Sequence, residues 1–299
     1  MNEFKEPKSF WGGSWTEEKL DAFEKYVNAY LMIMNAQKEK YNGWPTTIYF
    51  DGFAGSGEKK LKRNDEQENL FSDYFSEREN EVYKGSAERV LSLRNKFDYY
   101  YFVDIDEEAI NNLQNFLSSK GLLTDNCFFR RCDVNEYLGE LSNILNDKKA
   151  ALVLLDPFGM QINWENINLL ENKRVDLWIL IPSGVIINRF LDKKGNILFQ
   201  KKLESYFGLS ITEIKDHFYK IEKEKTLFGE QEKLIKVDDS ISKIAQLYII
   251  KLKRIFKYVT ENPLLLINTK HAPIYHFVFA SNNKTALKIA SQIIEKKNK

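Results

Sequence analysis

Three glycines fall within six residues in the stretch Tyr49-Phe50-Asp51-Gly52-Phe53-Ala54-Gly55-Ser56-Gly57, where an apolar run ends. Glycine is needed where φ turns positive or where backbone lies against a ligand, and an open α/β sheet makes its nucleotide pocket with such a turn. Asp51, Gly52, Phe53, Ala54, Gly55, Ser56 and Gly57 are therefore the first candidate binding residues. On its own the pattern also fits a tight loop, so the assignment depends on polar residues at the ends of later strands.

Asp156-Pro157-Phe158-Gly159 follows directly on the apolar run Ala150-Ala151-Leu152-Val153-Leu154-Leu155. The run has the character of a central parallel strand, buried on both faces. Its end delivers a carboxylate, a rigid proline and an aromatic plate. Asp156 can accept a hydrogen bond from an exocyclic amine and turn its lone pair toward a methyl donor, while Phe158 stacks on an extruded base. Two further acids occupy equivalent positions. Asp104 closes Tyr99-Tyr100-Tyr101-Phe102-Val103 and suits the hydroxyls of a ribose, with Asp106 either beside it or capping the next helix. Asp133-Val134 closes Cys127-Phe128-Phe129-Arg130-Arg131-Cys132, from where a short polar group reaches an adenine amine or caps a helix.

The elements that must position these residues are legible as alternating periods. Leu20, Phe23, Val27, Leu31 and Met34 recur at helical steps after a capping pair, Ser14 and Glu17, and Lys19 and Lys25 are expected to face solvent. Trp11 and Trp15 read as a clamp packing this arm, residues 1–43, on the sheet, with a lid as the alternative. Residues 58–84 are highly charged and aperiodic, which predicts an insertion, and the basic run within it is followed at once by acids. Val175-Asp176-Leu177-Trp178-Ile179-Leu180-Ile181 is a fifth buried strand. Residues 192–240, rich in alternating Lys and Glu, are expected to be a helical insertion. Leu264 to Asn268 and Tyr275 to Ala280 are expected to pair as a hairpin. The predicted architecture is one elaborated α/β domain over 1–299: a Rossmann-like, mostly parallel sheet with a C-terminal antiparallel hairpin and helical insertions.

Composition narrows the function. With 44 Lys+Arg against 43 Asp+Glu the formal charge is +1, so no global field draws the chain to nucleic acid or membrane. Any nucleic-acid contact must come from a local patch. Cys127 and Cys132 are spaced for neither a metal site nor a bridge, and His217 has no ligands near it in sequence, so no metal is expected. The first residues lack an apolar signal core and no run is long enough to span a bilayer, from which a cytoplasmic protein is expected. Asp51 places a negative charge at the mouth of the glycine turn, which repels a pyrophosphate and favours the sulfonium or ammonium of S-adenosylmethionine.

Taken together, Trp15-Thr16-Glu17-Glu18-Lys19-Leu20, Asp51 to Gly57, Lys84-Gly85-Ser86-Ala87, Asp156 to Gly159, Asn188-Arg189-Phe190 and Tyr275 to Ser281 resemble the three-Cys-motif partner protein family over nearly the whole chain. The resemblance implies a class I methyltransferase using S-adenosyl-L-methionine, and a genomic partner carrying three cysteines akin to radical-enzyme iron–sulfur ligation. It also implies a phage-related or defence setting. Asp156-Pro157-Phe158-Gly159 further resembles the motif of tRNA guanine-N2 dimethyltransferases and, more loosely, the Asp-Pro-Pro-aromatic motif of adenine-N6 enzymes. RNA or DNA is the implied substrate. A non-catalytic platform that binds the three-Cys protein is the alternative reading.

Overall fold

The structure is a computed structural model and describes residues 14–55, 85–226 and 229–298. Ser56, Gly57, the insertion at 58–84 and Trp11 lie outside the described residues.

The chain opens with a long helix, α1 (Ser14–Lys40), and then alternates β1 (Thr46–Asp51), α2 (Ser86–Ser92), β2 (Tyr99–Asp104), α3 (Glu107–Ser119), β3 (Cys127–Arg131), α4 (Val134–Ile144), β4 (Lys149–Leu155), α5 (Trp164–Asn168) and β5 (Val175–Ile181). Beyond a π-helical turn at Ser183–Ile187 come α6 (Asn188–Phe190), α7 (Gln200–Phe207), α8 (Ile211–Phe218), β6 (Tyr219–Thr226), β7 (Gly229–Lys236) and α9 (Ser240–Leu252). The chain ends with β8 (Tyr258–Val259), β9 (Leu264–Ile267), β10 (Pro273–Ser281) and α10 (Lys284–Lys297).

Strands β1 to β5 are mutually parallel in the order β3-β2-β1-β4-β5, and β10 adds antiparallel to β5, with β8 and β9 both pairing β10. The sheet is the Rossmann-like, mostly parallel layout read from the sequence, with the expected β9–β10 hairpin. Every residue of β5 is buried, as is β4 apart from Lys149, because helices cover both faces of these central strands. Order reverses at β1 and β4, so the crevice beyond their carboxyl ends is where such sheets bind ligands.

Helix α1 runs antiparallel to the parallel strands. At the carboxyl side Lys19 reaches Asp156, just past β4; farther along, the Tyr26 hydroxyl donates to Asp176 at the start of β5 (2.6 Å). Between them Phe23, Tyr26 and Val27 are buried, with Phe23 and Tyr26 edge-on to Trp178. The rotation of α1 is set by Arg89 of α2, which is ion-paired to Glu17, Asp21 and Glu24. Those acids occupy the flank of α1, which leaves Thr16, Lys19, Leu20 and Phe23 facing inward at helical spacing.

The segment 192–240 departs from the helical expectation. It holds α7 and α8, but β6 and β7 then form an antiparallel hairpin in register from Tyr219↔Lys236 to Thr226↔Gly229. Its Lys/Glu alternation has a period of two as well as short i,i+4 pairs, and strand pairing satisfied the first. Asn188 and Arg189 lie on α6, which continues directly from the π-helical turn that starts after Pro182.

Candidate active site

Asp51 closes β1 and is fully buried. Its Oδ2 accepts hydrogen bonds from Ser86 Oγ (2.6 Å) and the Tyr49 hydroxyl (2.9 Å), while Oδ1 is buried with no hydrogen-bond partner among the described residues. Burial lifts this carboxyl from its ordinary 3.8 to about 6, against the lowering effect of the Ser86 and Tyr49 bonds, with the nearby Asp156 charge raising it further. A carboxylate oxygen left unpaired in the interior costs free energy unless a ligand supplies the donor.

Asp156 lies beside this acid, since Asp51 stands opposite Leu154 in the β1–β4 register. Its Oδ2 is 2.5 Å from Lys19 Nζ, and both side chains are almost wholly buried. Lys19, expected in solvent, is thus an interior cation. Helical periodicity made its position ambiguous, because it is flanked by polar Glu17 and Glu18, and only the docking of α1 across the strand ends turned it inward. Trp15 completes the surround: its ring lies 5.4 Å from Lys19 Nζ and 5.2 Å from the ring of Tyr275 on β10. Tyr275 in turn donates to the Phe158 carbonyl (3.3 Å), and burial with the Asp156 charge pushes its phenol well above the usual range.

The turn after Asp156 is held by Gln161, whose Oε1 accepts from the backbone N–H of Phe158 (3.0 Å) and of Gly159 (3.4 Å). Pro157 and Gly159 are buried and the Phe158 side chain is half-buried. Asn135 ties this turn to the β3–α4 loop: it donates to Asp133 and to the Gln161 carbonyl (2.8 Å each) and accepts from the N–H of Asn163 (2.8 Å). Gln161, Ser86 and Tyr275 were not read as site residues from sequence. Ser86 and Tyr275 sit in segments that were singled out, but nothing in the spacing paired them with Asp51 or Phe158.

Asp104 occupies the end of β2 and braces the glycine turn: Oδ2 accepts from Gly55 N–H (3.0 Å) and Oδ1 from Asp106 N–H (3.0 Å). Gly55 has φ +60°, the left-handed conformation the turn requires. Burial raises the Asp104 carboxyl. Asp106 is exposed and caps α3, accepting from Glu108 and Ala109 N–H, and so takes the helix-capping role. Asp133 likewise caps α4 through Asn135 N–H (2.8 Å). Gly52 is small for packing: a Cβ there would stand 2.7 Å from both Leu155 Cδ2 and Val134 Cγ2. Val134 is accordingly a buried wall against the turn, with Phe53 half-buried and Ala54 buried beside it. The described residues contain no cluster of His, Cys, Asp and Glu able to hold a metal ion, and both cysteines are unbridged.

A parallel sheet in the order 3-2-1-4-5 with a last antiparallel strand, and a glycine turn after β1, decide the fold, which is Rossmann-like. No family model matches the sequence, and no curated protein does. Among solved structures, a Legionella pneumophila protein, LPL1258, is similar at 14% identity over 87% of this chain and 96% of that one, with a TM-score of 0.38. An rRNA methylase from Streptococcus thermophilus is 13% identical over 65% of this chain and 90% of its own, TM-score 0.30. The magnesium protoporphyrin IX methyltransferase of Synechocystis with bound SAM is 10% identical over 77% and 86%, TM-score 0.29. Likeness at this level says nothing of chemistry, and the fold stands on the strand order itself. Among the described residues no helix is long and apolar enough to cross a membrane.

Proposed function

We propose that the protein is a methyltransferase that binds S-adenosyl-L-methionine beside Asp51 and methylates an exocyclic amine of a nucleic-acid base presented at Asp156. The observation that carries this is the buried Asp51 carboxylate, one oxygen pinned by Ser86 and Tyr49 and the other without a donor among the described residues, directly before the glycine turn. Asp51 would hold the cofactor's ammonium and Asp104 would brace the turn while offering its remaining lone pairs to ribose hydroxyls. When bound, the cofactor would supply an activated methyl group for transfer to the amine. The protein's own share is alignment: Asp156 accepts an N–H of the amine, Phe158 offers a stacking face, and Gln161 and Asn135 keep the turn rigid. The resemblance to three-Cys-motif partner proteins supports a cysteine-bearing partner and a phage-related setting as part of the same proposal, to be tested by copurification.

Calorimetry with S-adenosylmethionine at pH 7.5 should show binding, and Asp156→Asn should keep it while losing transfer of labelled methyl to RNA or DNA from a strain lacking the gene. Absence of cofactor binding, or full transfer by Asp156→Asn, would sink the reading.

The raised Asp51 carboxyl makes two effects opposite in sign. An ammonium requires the ionised acid, so cofactor affinity should weaken as pH falls through about 6, an effect absent from Asp51→Asn, which binds weakly throughout. For folding, the native acid holds its proton more tightly than the unfolded one, so stability from this group falls as pH rises from 3.8 to about 6. At pH 8, Asp51→Asn should therefore be more stable than wild type, by on the order of 2 kcal/mol, in urea unfolding. A less stable variant would contradict the assignment.

A further inference from the structure

Charge is divided along the chain in a way that the overall balance hides. Residues 240–299 hold eleven Lys and Arg against two acids, Glu261 and Glu295, a formal +9, so residues 1–239 carry −8 of a whole that comes to +1. An asymmetry of this size between segments points to a polyanionic partner for the basic part. The fold gathers much of that charge at one corner, around β8, the terminal strand of the sheet. Lys253 caps α9 with Arg254 beside it, Lys257 precedes β8, and Lys284 and Lys288 stand about one turn apart in α10. Asn282 Oδ1 accepts from the Lys257 N–H (3.0 Å), which brings the entry to β8 against the start of α10. All five cations are exposed. Lys253 is paired to Glu261 (2.8 Å), whereas Lys257, Lys284 and Lys288 make no ion pair among the described residues. An open groove of about 620 Å³ runs through this corner, lined by Lys253, Lys257, Tyr258 and Asn262 and by Leu287 and Ser291 of α10, with the two acids also in its lining.

We propose, resting on the methyltransferase reading above, that this basic edge of the sheet binds the phosphate backbone of the nucleic acid whose base is methylated. Lys and Arg neutralise phosphates and release their counterions, a contribution to affinity that does not depend on base sequence. Tyr258, Asn262 and Ser291 add the hydroxyl and amide donors that phosphate and sugar oxygens take, whereas a bilayer surface calls for a continuous apolar face beside the cations. The position also sets the length of the partner. Ser281 stands opposite both Asp176 and Tyr258, so β8 lies level with the start of β5, while the candidate site lies beyond the carboxyl ends of β4 and β5. The seven residues of β5, at about 3.3 Å each, put roughly 20 Å between the two places. A single nucleotide reaches only one of them. A polynucleotide reaches both, with its backbone on the basic edge and its target base at the crevice.

The test is fluorescence anisotropy with labelled DNA and RNA duplexes of about 24 base pairs, without cofactor, in potassium chloride from about 50 to 300 mM. The wild-type chain should bind, and its affinity should fall steeply as salt rises. The triple variant Lys257→Gln, Lys284→Gln, Lys288→Gln should bind about tenfold or more weakly at the low end, with a log–log salt slope smaller by about 2–3. A control that removes three exposed lysines elsewhere, Lys148→Gln, Lys201→Gln, Lys233→Gln, should stay within about threefold of wild type. All six side chains are exposed, so thermal unfolding of both variants should match the wild type. No binding of either duplex by the wild type, wild-type affinity in the triple variant, or an equal loss in the control would each overturn the proposal. Retention on phosphatidylserine vesicles with no binding to either duplex would assign the surface to a membrane and overturn it as well. Failure of S-adenosylmethionine to bind would instead defeat the methyl-donor assignment alone, because the anisotropy needs no cofactor and the substituted lysines lie away from Asp51 and Asp156.

Discussion

Lys19→Met is expected to lower the unfolding free energy by about 3–5 kcal/mol, because it strands the buried Asp156 carboxylate without its counter-charge. The two side chains are only 3% and 5% exposed, so water cannot replace the lost partner, as it would at a surface pair. Adding Asp156→Asn should return most of that loss, since a neutral amide beside methionine leaves no charge to compensate. Urea unfolding of the wild type, both single variants and the double variant closes the cycle. Coupling of several kcal/mol is the expected result. Additive losses would show that the pair is open to solvent and that α1 is not locked on the strand ends by charge.

The second large effect is expected at Gly184, in the π-helical turn where the chain leaves β5. A Cβ there would fall 2.0 Å from the Pro273 carbonyl oxygen and 2.8 Å from its carbon, at the start of β10. These are backbone atoms of a paired strand, so they cannot rotate away as a side-chain tip can. Gly184→Ala should therefore cost more than about 3 kcal/mol or prevent folding, by prising β10 from β5 next to the buried Ser183–His276 hydrogen bond (2.7 Å). Gly52→Ala is the contrast. Its Cβ meets the methyl tips of Leu155 and Val134, which can shift, and about 1–3 kcal/mol is expected. Thermal unfolding of the two variants side by side checks the ranking, and an equal or reversed order would refute it.

The strands and the acids at their ends were legible because they are local in sequence: an apolar run ending in a carboxylate is seen without knowing its neighbours. Asp51, Asp104 and Asp156 were found this way. The same local view left two roles open for Asp106 and Asp133, since an acid after a strand is also an acid before a helix. Hydrogen-bond geometry puts both on helix N-termini. The Lys/Glu run in residues 192–240 misled for a related reason. On a surface both helical and strand periods can be satisfied by alternating charge, and pairing of β6 with β7 decided it.

The amino-acid sequence alone indicated a mostly parallel sheet and the acids at the ends of its strands, because burial on two faces and turn chemistry are written in consecutive residues. Tertiary structure alone decided what each acid can do. Asp51 gained its raised affinity for a proton from full burial and the nearby Asp156 charge, against the hydrogen bonds of Ser86 and Tyr49. Asp156 gained its cation from a helix 137 positions earlier in the chain, since ion pairing depends on distance in space and carries no trace in spacing.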